Sequence, residues 1–268
     1  MPLRLSPTLR AALAASDRPL AGMWVCSGSP LVAEICAGSG LDWMLIDMEH
    51  APNGLESVLG QLQAVAAYPI TPVVRVPSND PVVLKQVLDL GAQNILVPMV
   101  SSAADAEAAV AAVRYPPRGQ RGVGSALGRS ARWNRVDGYL TGADEHVSLF
   151  VQVETVVGVA SAGEIAAVDG VDGVFVGPSD LAASLGLLGQ QTHPEVIAAV
   201  HRAFAAVRAA GRPVGVNAFD PEAAQAYVDR GATFVLVAAD VAILARTSEA
   251  LASRWSPADT AEPDRSSY

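Results

Sequence analysis

Residues 43–50, Trp-Met-Leu-Ile-Asp-Met-Glu-His, join an apolar run of strand length to three side chains that can carry or exchange protons. A short hydrophobic run that ends at a turn is typical of a buried parallel strand. Asp47, Glu49 and His50 therefore stand where a strand leaves a sheet, which is the edge at which α/β proteins bind ligands. An alternative is that Asp47 caps the following turn and His50 is an exposed surface residue.

The same pattern, a polar side chain closing an apolar run, recurs along the chain. It is found at Trp24, Arg75, Gln152, Glu154, Asp180 and Asn217. Glu154 and Asp180 follow neighbouring predicted strands, and their hard oxygen atoms suit Mg²⁺, Mn²⁺ or a similar divalent ion. Each carboxylate alone could equally be a helix cap or an ion-pair partner, but their joint placement beside Gln152 favours a metal site.

Four residues bear further on the chemistry. Arg75 ends an apolar strand, where a guanidinium group is costly to desolvate unless something anionic faces it. His50 is the only one of four histidines at a strand end, and imidazole suits a general base near neutral pH. Asp89 is a weaker candidate to orient it, because spacing alone shows no contact. Lys85, the only lysine, lies within a predicted helix, which argues against a Schiff-base aldolase.

Eight strand-length apolar runs alternate with helical segments. The predicted strands cover residues 20–25, 43–47, 71–77, 94–100, 148–154, 173–177, 213–217 and 234–238. Eight such units in about 250 residues favour a closed (β/α)₈ TIM barrel over an open sheet. No glycine-rich phosphate loop follows the first strand, which argues against a dinucleotide fold. We therefore predict one barrel domain over residues 1–255 and a polar tail over 256–268.

The segment 115–147 breaks this alternation and is longer than an ordinary connection, which indicates a functional loop. It contains Arg129, Arg132 and Arg135. These arginines could line an anionic pocket, or they could form the solvated face of a helix. The residues alone leave both interpretations open.

Composition narrows the class of protein. The net charge of −9 over 268 residues argues against a nucleic-acid partner, because phosphates are bound by clustered Lys and Arg. Cys26 and Cys36 form no disulfide framework or zinc pattern, so we expect a reducing, cytoplasmic setting. The N-terminus lacks the apolar core of a signal peptide, and the most hydrophobic segment, 232–245, contains Asp240. We expect no membrane partner.

Six ordered segments carry a resemblance to a known family. They are residues 47–53 (DMEHAPN), 74–75 (VR), 85–92 (KQVLDLGA), 115–124 (YPPRGQRGVG), 151–154 (VQVE) and 175–181 (FVGPSDL). They resemble the HpcH/HpaI family of metal-dependent class II pyruvate aldolases, which includes 4-hydroxy-2-oxoheptanedioate and 2-keto-3-deoxy sugar acid aldolases. The segments span almost the whole chain in order, which argues against a chance match.

The resemblance implies a (β/α)₈ barrel with a divalent metal, Mg²⁺, Mn²⁺ or Co²⁺, held by Glu154 and Asp180. The carboxylate and keto oxygens of pyruvate would complete the chelate. It also implies His50 as the base, its basicity raised by Asp89, and Arg75 as the group that stabilises the enolate oxygen. This mechanism is chemically reasonable, because metal chelation and a guanidinium group both stabilise the negative charge of an enolate.

The resemblance further implies substrate contacts at Gln152 and around Ser179. With these we predict the following site residues: Asp47 in the catalytic set, and Trp24, Arg75, Gly177, Asp180 and Asn217 in contact with substrate. Asn217 stands where close relatives carry an apolar residue, and Ser179 stands where some carry alanine, so the aldehyde is left open. Family members assemble as hexamers in which the C-terminal helix is exchanged between neighbours.

The implied reaction is the reversible cleavage of a 4-hydroxy-2-oxo acid to an aldehyde and pyruvate, or a close analogue such as hydroxypyruvate. One alternative is a lyase that acts on CoA esters or a phosphoenolpyruvate-type substrate, for which residues 129–135 are the only candidate phosphate contact. A second alternative is a protein that binds a metal–oxoacid pair without turnover, or an inert oligomeric scaffold.

Overall fold

The computed structural model describes residues 3–256 and is a closed barrel of eight parallel strands in sequential order. The strands are β1 (Leu20–Val25), β2 (Trp43–Asp47), β3 (Thr71–Arg75), β4 (Asn94–Val97), β5 (Ser148–Val153), β6 (Gly173–Val176), β7 (Val214–Asn217) and β8 (Phe234–Ala239). β8 pairs with β1 and closes the barrel, with a register shift between Gly22 and Met23. The predicted (β/α)₈ architecture is confirmed.

Helices cover the outside of the barrel, as the alternating pattern predicted. Over residues 3–256 the α-helices are α1 (Leu9–Ala15), α2 (Pro30–Ala37), α3 (Leu55–Ala64), α4 (Pro81–Asp89), α5 (Ala103–Val113), α6 (Tyr139–Gly142), α7 (Val156–Ala160), α8 (Ala162–Ala167), α9 (Pro178–Ser184), α10 (Pro194–Ala209), α11 (Pro221–Asp229) and α12 (Asp240–Trp255). Side-chain caps at Ser29, Asp80 and Asp220 begin α2, α4 and α11, each followed by proline in the first turn.

Strand β4 is shorter than the sequence predicted. It ends at Val97 instead of residue 100, because Pro98 has no N–H to donate to the sheet and Met99 has a left-handed φ of 57°. The early end turns the Met99 backbone toward β5, where it takes part in the site described below.

The barrel interior is packed with large side chains below its mouth. Phe234 contacts both Trp43 and Phe150 edge to face. Small residues opposite make room for them, since a Cβ on Gly22 would lie 2.6 Å from the Trp43 ring. Trp24 and Phe175 close the top of this core. A ligand can therefore enter only from the end of the barrel where the strands finish.

The loop 115–147 packs at the opposite end of the barrel, where the strands begin. Arg129 donates 3.0 and 3.4 Å hydrogen bonds to the carbonyl oxygens of Leu90 and Leu62, at the C-terminal ends of α4 and α3. Burial, with a smaller contribution from Arg132, lowers the pKa of Arg129 to about 10. For Arg129 neither expectation is right, because it caps two helices instead of lining an anionic pocket or a solvated helix face.

Helix α12 differs from the other long helices because only Asp240 is buried along its sixteen residues. Its apolar side chains Ile243, Leu244 and Trp255 are exposed, Trp255 at 76%. None of the helices within residues 3–256 is both long and apolar enough to cross a membrane. The predicted tail lies outside the described residues except for Ser256.

Candidate active site

A cavity of about 660 Å³ opens at the end of the barrel where the strands finish. The predicted site residues that line it are Trp24, Asp47, His50, Arg75, Gln152, Gly177, Ser179, Asp180 and Asn217. They come from five strands and from the start of α9, so the barrel brings together residues that lie up to about 190 positions apart in the chain. Glu154 lies just behind this wall, hydrogen bonded to Gln152.

Arg75 lies between two carboxylates and an aromatic ring. Its Nε and one terminal nitrogen each donate a 2.8 Å hydrogen bond to Asp47, which is its direct partner in the β2–β3 register. The guanidinium carbon also lies 4.3 Å from the centre of the Trp24 ring. Burial alone would lower the pKa of Arg75, but Asp47, Glu49 and Glu154 raise it above its usual value. The guanidinium group is therefore a fixed positive charge in the cavity wall.

Both carboxylate oxygens of Asp47 accept hydrogen bonds from neighbouring residues. Besides Arg75, its two oxygens accept the backbone N–H groups of Glu49 at 3.0 Å and His50 at 3.3 Å. The turn cap considered as an alternative is thus present together with the ion pair. With both oxygens occupied, Asp47 is better suited to positioning Arg75 and His50 than to the direct catalytic part that we predicted.

Glu49 is a site residue to which the sequence analysis gave no role. Its Oε2 lies 2.8 Å from a terminal nitrogen of Arg75, yet accepts no directed hydrogen bond. The same oxygen lies 3.8 Å from Nε2 of His50. Burial raises the pKa of Glu49, Arg75 and His50 oppose this, and the negative charges of Asp47 and Asp180 raise it further. The sequence signal that could have identified Glu49 as a site residue was its position in the Asp-Met-Glu-His run.

Glu154 is almost completely buried, at 1% exposed. One oxygen accepts the backbone N–H of Met99 at 2.8 Å, and the other accepts the side-chain amide of Gln152. Burial raises the pKa of Glu154 to about 7, these two hydrogen bonds oppose the shift, and the charges of Asp180 and Glu49 add to it. The left-handed Met99 that ends β4 early therefore supplies a donor to this carboxylate.

The surroundings of Glu154 fit a bound cation. The negative charges of Glu154, Asp180 and Glu49 act on one another across the cavity wall. A Cβ on Gly177 would lie 2.7 Å from Glu154, so only glycine leaves this space open, and Oε1 of Gln152 is buried without a hydrogen-bond partner. No three His, Cys, Asp or Glu residues within 3–256 form a complete metal site. Further ligands would have to come from substrate or water.

His50 and Asp89 do not meet within one chain, which corrects the expected pair. His50 is 65% exposed at the mouth of the cavity. Asp89 is the last residue of α4, which begins after β3 and runs back along the barrel for nine residues, roughly 13 Å. There Asp89 accepts a 3.1 Å hydrogen bond from Arg121. Because this helix runs antiparallel to the strands, Asp89 lies at the end of the barrel opposite His50.

Several cavity residues were not predicted. Among them are Cys26, Phe175 and Phe219, and the α12 residues Val241, Ala242, Ala245 and Arg246. Cys26, Phe175 and Phe219 lie within two residues of strand ends, so the strand pattern was a usable signal for them. The α12 residues belong to a helix that follows β8, and no sequence pattern indicated that it would border the cavity. Burial, with smaller contributions from Asp47 and Asp240, raises the pKa of the Cys26 thiol to about 12.

The chain is similar to known proteins over most of its length. Residues 20–247 match the HpcH/HpaI aldolase/citrate lyase family. The chain is 50% identical over 240 residues to the 4-hydroxy-2-oxo-heptane-1,7-dioate aldolase of Salmonella dublin, covering 90% of this chain and 91% of that protein. It is 43% identical to the solved structure of a HpcH/HpaI aldolase/citrate lyase family protein from Burkholderia cenocepacia J2315, with a TM-score of 0.88 and coverage of 92% and 98%.

A second solved relative is the HpcH/HpaI aldolase from Desulfitobacterium hafniense DCB-2. It is 27% identical, with a TM-score of 0.86, and the superposition covers 96% of this chain and all of that one. The matched range 20–247 also contains every residue that lines the cavity, from Trp24 to Arg246. The expected enzyme class, an aldolase, is confirmed. The chain therefore belongs to the HpcH/HpaI aldolase/citrate lyase family.

Proposed function

We propose that this enzyme reversibly cleaves a 4-hydroxy-2-oxo acid to pyruvate, or a close analogue such as hydroxypyruvate, and an aldehyde, with a divalent metal as cofactor. The observation that carries the proposal is the convergence of Asp180 and Arg75 in the cavity wall with Glu154 directly behind it, hydrogen bonded to Gln152. Two carboxylates suit a hard cation, and a guanidinium group beside them suits an oxygen on which negative charge develops. The Salmonella relative is named for a reaction of this type.

Glu154 and Asp180 would hold the metal, with Mg²⁺, Mn²⁺ and Co²⁺ as the candidates. A divalent ion there withdraws electrons from the keto group of pyruvate and makes the methyl protons more acidic. Gln152 and the backbone at Gly177 and Ser179 would contact the substrate, because they line the cavity next to the two carboxylates.

Arg75 would stabilise the keto oxygen as it becomes negative. Asp47 accepts hydrogen bonds from two of the five N–H groups of Arg75, and Glu49 lies beside the other terminal nitrogen without accepting a directed hydrogen bond, so donors remain for the substrate. The bidentate pair with Asp47 and the Trp24 ring fix the guanidinium group before substrate arrives. This positioning matters because a preorganised donor does not have to reorient during the reaction.

His50 would take the proton from the substrate hydroxyl when the carbon–carbon bond breaks, and would return it in the reverse direction. It stands at the open side of the cavity, and its backbone N–H is held by Asp47. Asp89 can assist this imidazole only from another copy of the chain, because within one chain it lies at the opposite end of the barrel.

We also propose that the enzyme is a cytoplasmic homo-oligomer, a hexamer in which α12 is exchanged between neighbouring subunits. The exposed apolar residues Ile243, Leu244, Leu251 and Trp255 support this, since a single chain leaves them in water. The two free cysteines, Cys26 and Cys36, support a reducing compartment.

The structure does not favour the alternative lyases. Arg129, a half-buried arginine of the loop proposed to contact CoA phosphates, donates hydrogen bonds to helix carbonyls at the far end of the barrel. A decarboxylation assay distinguishes the proposed enzyme from a non-catalytic binding protein. The purified protein, with Mn²⁺ supplied, should decarboxylate oxaloacetate and lose this activity in excess EDTA. Binding of Mn²⁺ and pyruvate without decarboxylation or aldol turnover would identify a binding protein instead.

A further inference from the structure

Asn217 is an amide in an otherwise largely aromatic part of the cavity wall. It is the last residue of β7 and is half-buried. Its neighbours in the lining include Trp24, Phe175 and Phe219, and it also borders a side cavity of about 70 Å³. A polar group in such surroundings costs free energy unless it is hydrogen bonded, so the partners of this amide decide its role.

Trp24 fixes which way the amide faces. The indole Nε1–H lies 2.6 Å from Oδ1 of Asn217. Because an indole N–H can only donate, the amide must present its oxygen to Trp24 and its NH₂ group elsewhere. The ring itself contacts the Arg75 guanidinium group, whose carbon lies 4.3 Å from the ring centre, and forms a T-shaped pair with Phe175, with centroids 6.4 Å apart. The orientation of Asn217 is therefore set by side chains that are themselves immobilised.

The NH₂ group of Asn217 has no protein acceptor within residues 3–256. A substrate oxygen can satisfy it, whereas an alkyl group would displace water from a donor that then has no partner. Asn217 belongs to a different strand from the metal-binding carboxylates, which follow β5 and β6. The part of the cavity beside Asn217 is thus available to the second substrate, the aldehyde.

We infer that Asn217, positioned by Trp24, donates a hydrogen bond to a hydroxyl oxygen of the aldehyde, so that the enzyme selects hydroxylated aldehydes over alkyl aldehydes of the same size. The inference rests on the proposed aldolase function. In the synthetic direction the methyl carbon of pyruvate loses a proton to a base and bonds to the aldehyde carbon, whose oxygen takes up a proton. The aldehyde hydroxyl remains intact and serves only for recognition.

The test compares glycolaldehyde with propionaldehyde, which differ by one hydroxyl in place of a methyl group. The ratio of their kcat/KM values in aldol addition to pyruvate is measured for each protein, so that a general loss of activity cancels. Asn217→Leu, which keeps the approximate size, should reduce the ratio by roughly 10-fold, the effect of one lost hydrogen bond in a site built to make it. Trp24→Phe, which frees the amide to turn, should reduce it by a smaller factor.

Gln225→Leu is the matched control, since it removes an exposed amide from α11 outside the cavity, and its ratio should equal that of the wild type. An unchanged ratio in Asn217→Leu would overturn the inference. If that variant does not fold, an unchanged ratio in Trp24→Phe would do the same. Failure of the proposed function is seen separately, as absence of metal-dependent deuterium uptake into pyruvate by the wild type, which needs no aldehyde.

Discussion

Two buried arginines at opposite ends of the barrel have the same kinds of partner, a carboxylate and an aromatic ring. Arg75 at the mouth is 6% exposed, pairs with Asp47 and lies over the Trp24 ring. Arg121 lies at the base, the end of the barrel where the strands begin. It is fully buried, and one of its terminal nitrogens lies 3.1 Å from a carboxylate oxygen of Asp89. It also lies over an aromatic ring, that of Tyr115, at 4.7 Å. Contacts alone do not distinguish a functional arginine from a structural one.

The surroundings distinguish them. Arg75 borders a cavity and faces an excess of negative charge from Asp47, Glu49 and Glu154. Arg121 is enclosed by the loop 115–147, its terminal nitrogen lies 3.4 Å from the hydroxyl of Tyr139, and its Nε has no hydrogen-bond partner. A buried charge that borders a charged cavity is accessible to a ligand, whereas one enclosed by protein can interact only with other parts of the fold.

The largest expected effect is at the two carboxylates at the mouth that we propose hold the metal. Glu154→Gln or Asp180→Asn removes an anionic oxygen that a neutral amide cannot replace as a ligand for a hard cation. Each change should abolish turnover while leaving the thermal unfolding of the metal-free protein nearly unaltered. Steady-state kinetics with Mn²⁺ and differential scanning calorimetry measure the two effects. Full activity in extensively chelated wild-type protein would rule out the metal role.

The next effect is at His50, whose side chain is 65% exposed at the mouth. His50→Ala should slow aldol cleavage by about 10²–10⁴-fold, the range for one positioned acid–base group. Binding of pyruvate should persist, because the imidazole takes no part in chelation. Rapid-quench kinetics and pyruvate titration separate these quantities. A cleavage rate equal to that of the wild type would make His50 the surface residue of the alternative interpretation.

A smaller effect follows from the pKa of Glu154, about 7 in the folded metal-free protein. Below that pH a metal must displace a proton, so Mn²⁺ affinity should weaken by about 10-fold per pH unit below 7 and level off above it. The pKa is raised above the unfolded value, so this group's contribution to stability without metal is full below about pH 4.5 and falls as pH rises toward 7. Calorimetric Mn²⁺ titrations between pH 5.5 and 8 check the first point; constant affinity would contradict it.

At the base of the barrel, we expect a substitution of Arg121 to lower the stability of the fold and to leave the rate of the reaction nearly unchanged. Arg121→Met keeps an unbranched side chain but removes the guanidinium group that lies over the Tyr115 ring and donates to Asp89, and should lower the free energy of unfolding by about 1–3 kcal/mol. Methyl-proton exchange of pyruvate should stay within severalfold of wild type at temperatures where the variant is folded. Chemical denaturation gives the first value and NMR the second. A loss of exchange with unaltered stability would place Arg121 in the chemistry.

The sequence predicted the parts of the site that depend on strand periodicity. Asp47 and Arg75 each end a strand, and adjacent parallel strands made their contact foreseeable. The predicted pair of His50 and Asp89 does not form within one chain, because α4 runs away from the mouth and places Asp89 at the opposite end of the barrel. The bond between Trp24 and Asn217 links β1 to β7, which are not neighbours, so only closure of the barrel creates it. The left-handed turn at Met99 likewise has no signature in residue types.

The most direct test of the account is deuterium uptake into the methyl group of pyruvate, followed by NMR with titrated Mn²⁺. The ground-state ketone carries little charge, so Arg75 should contribute more to the transition state than to binding. Arg75→Ala should therefore slow exchange by roughly 10²-fold or more with little change in pyruvate affinity, and Arg75→Lys should restore only part, since a point charge lacks the forked geometry. Exchange at the wild-type rate, combined with much weaker pyruvate binding, would make Arg75 a carboxylate anchor and would contradict the proposed mechanism.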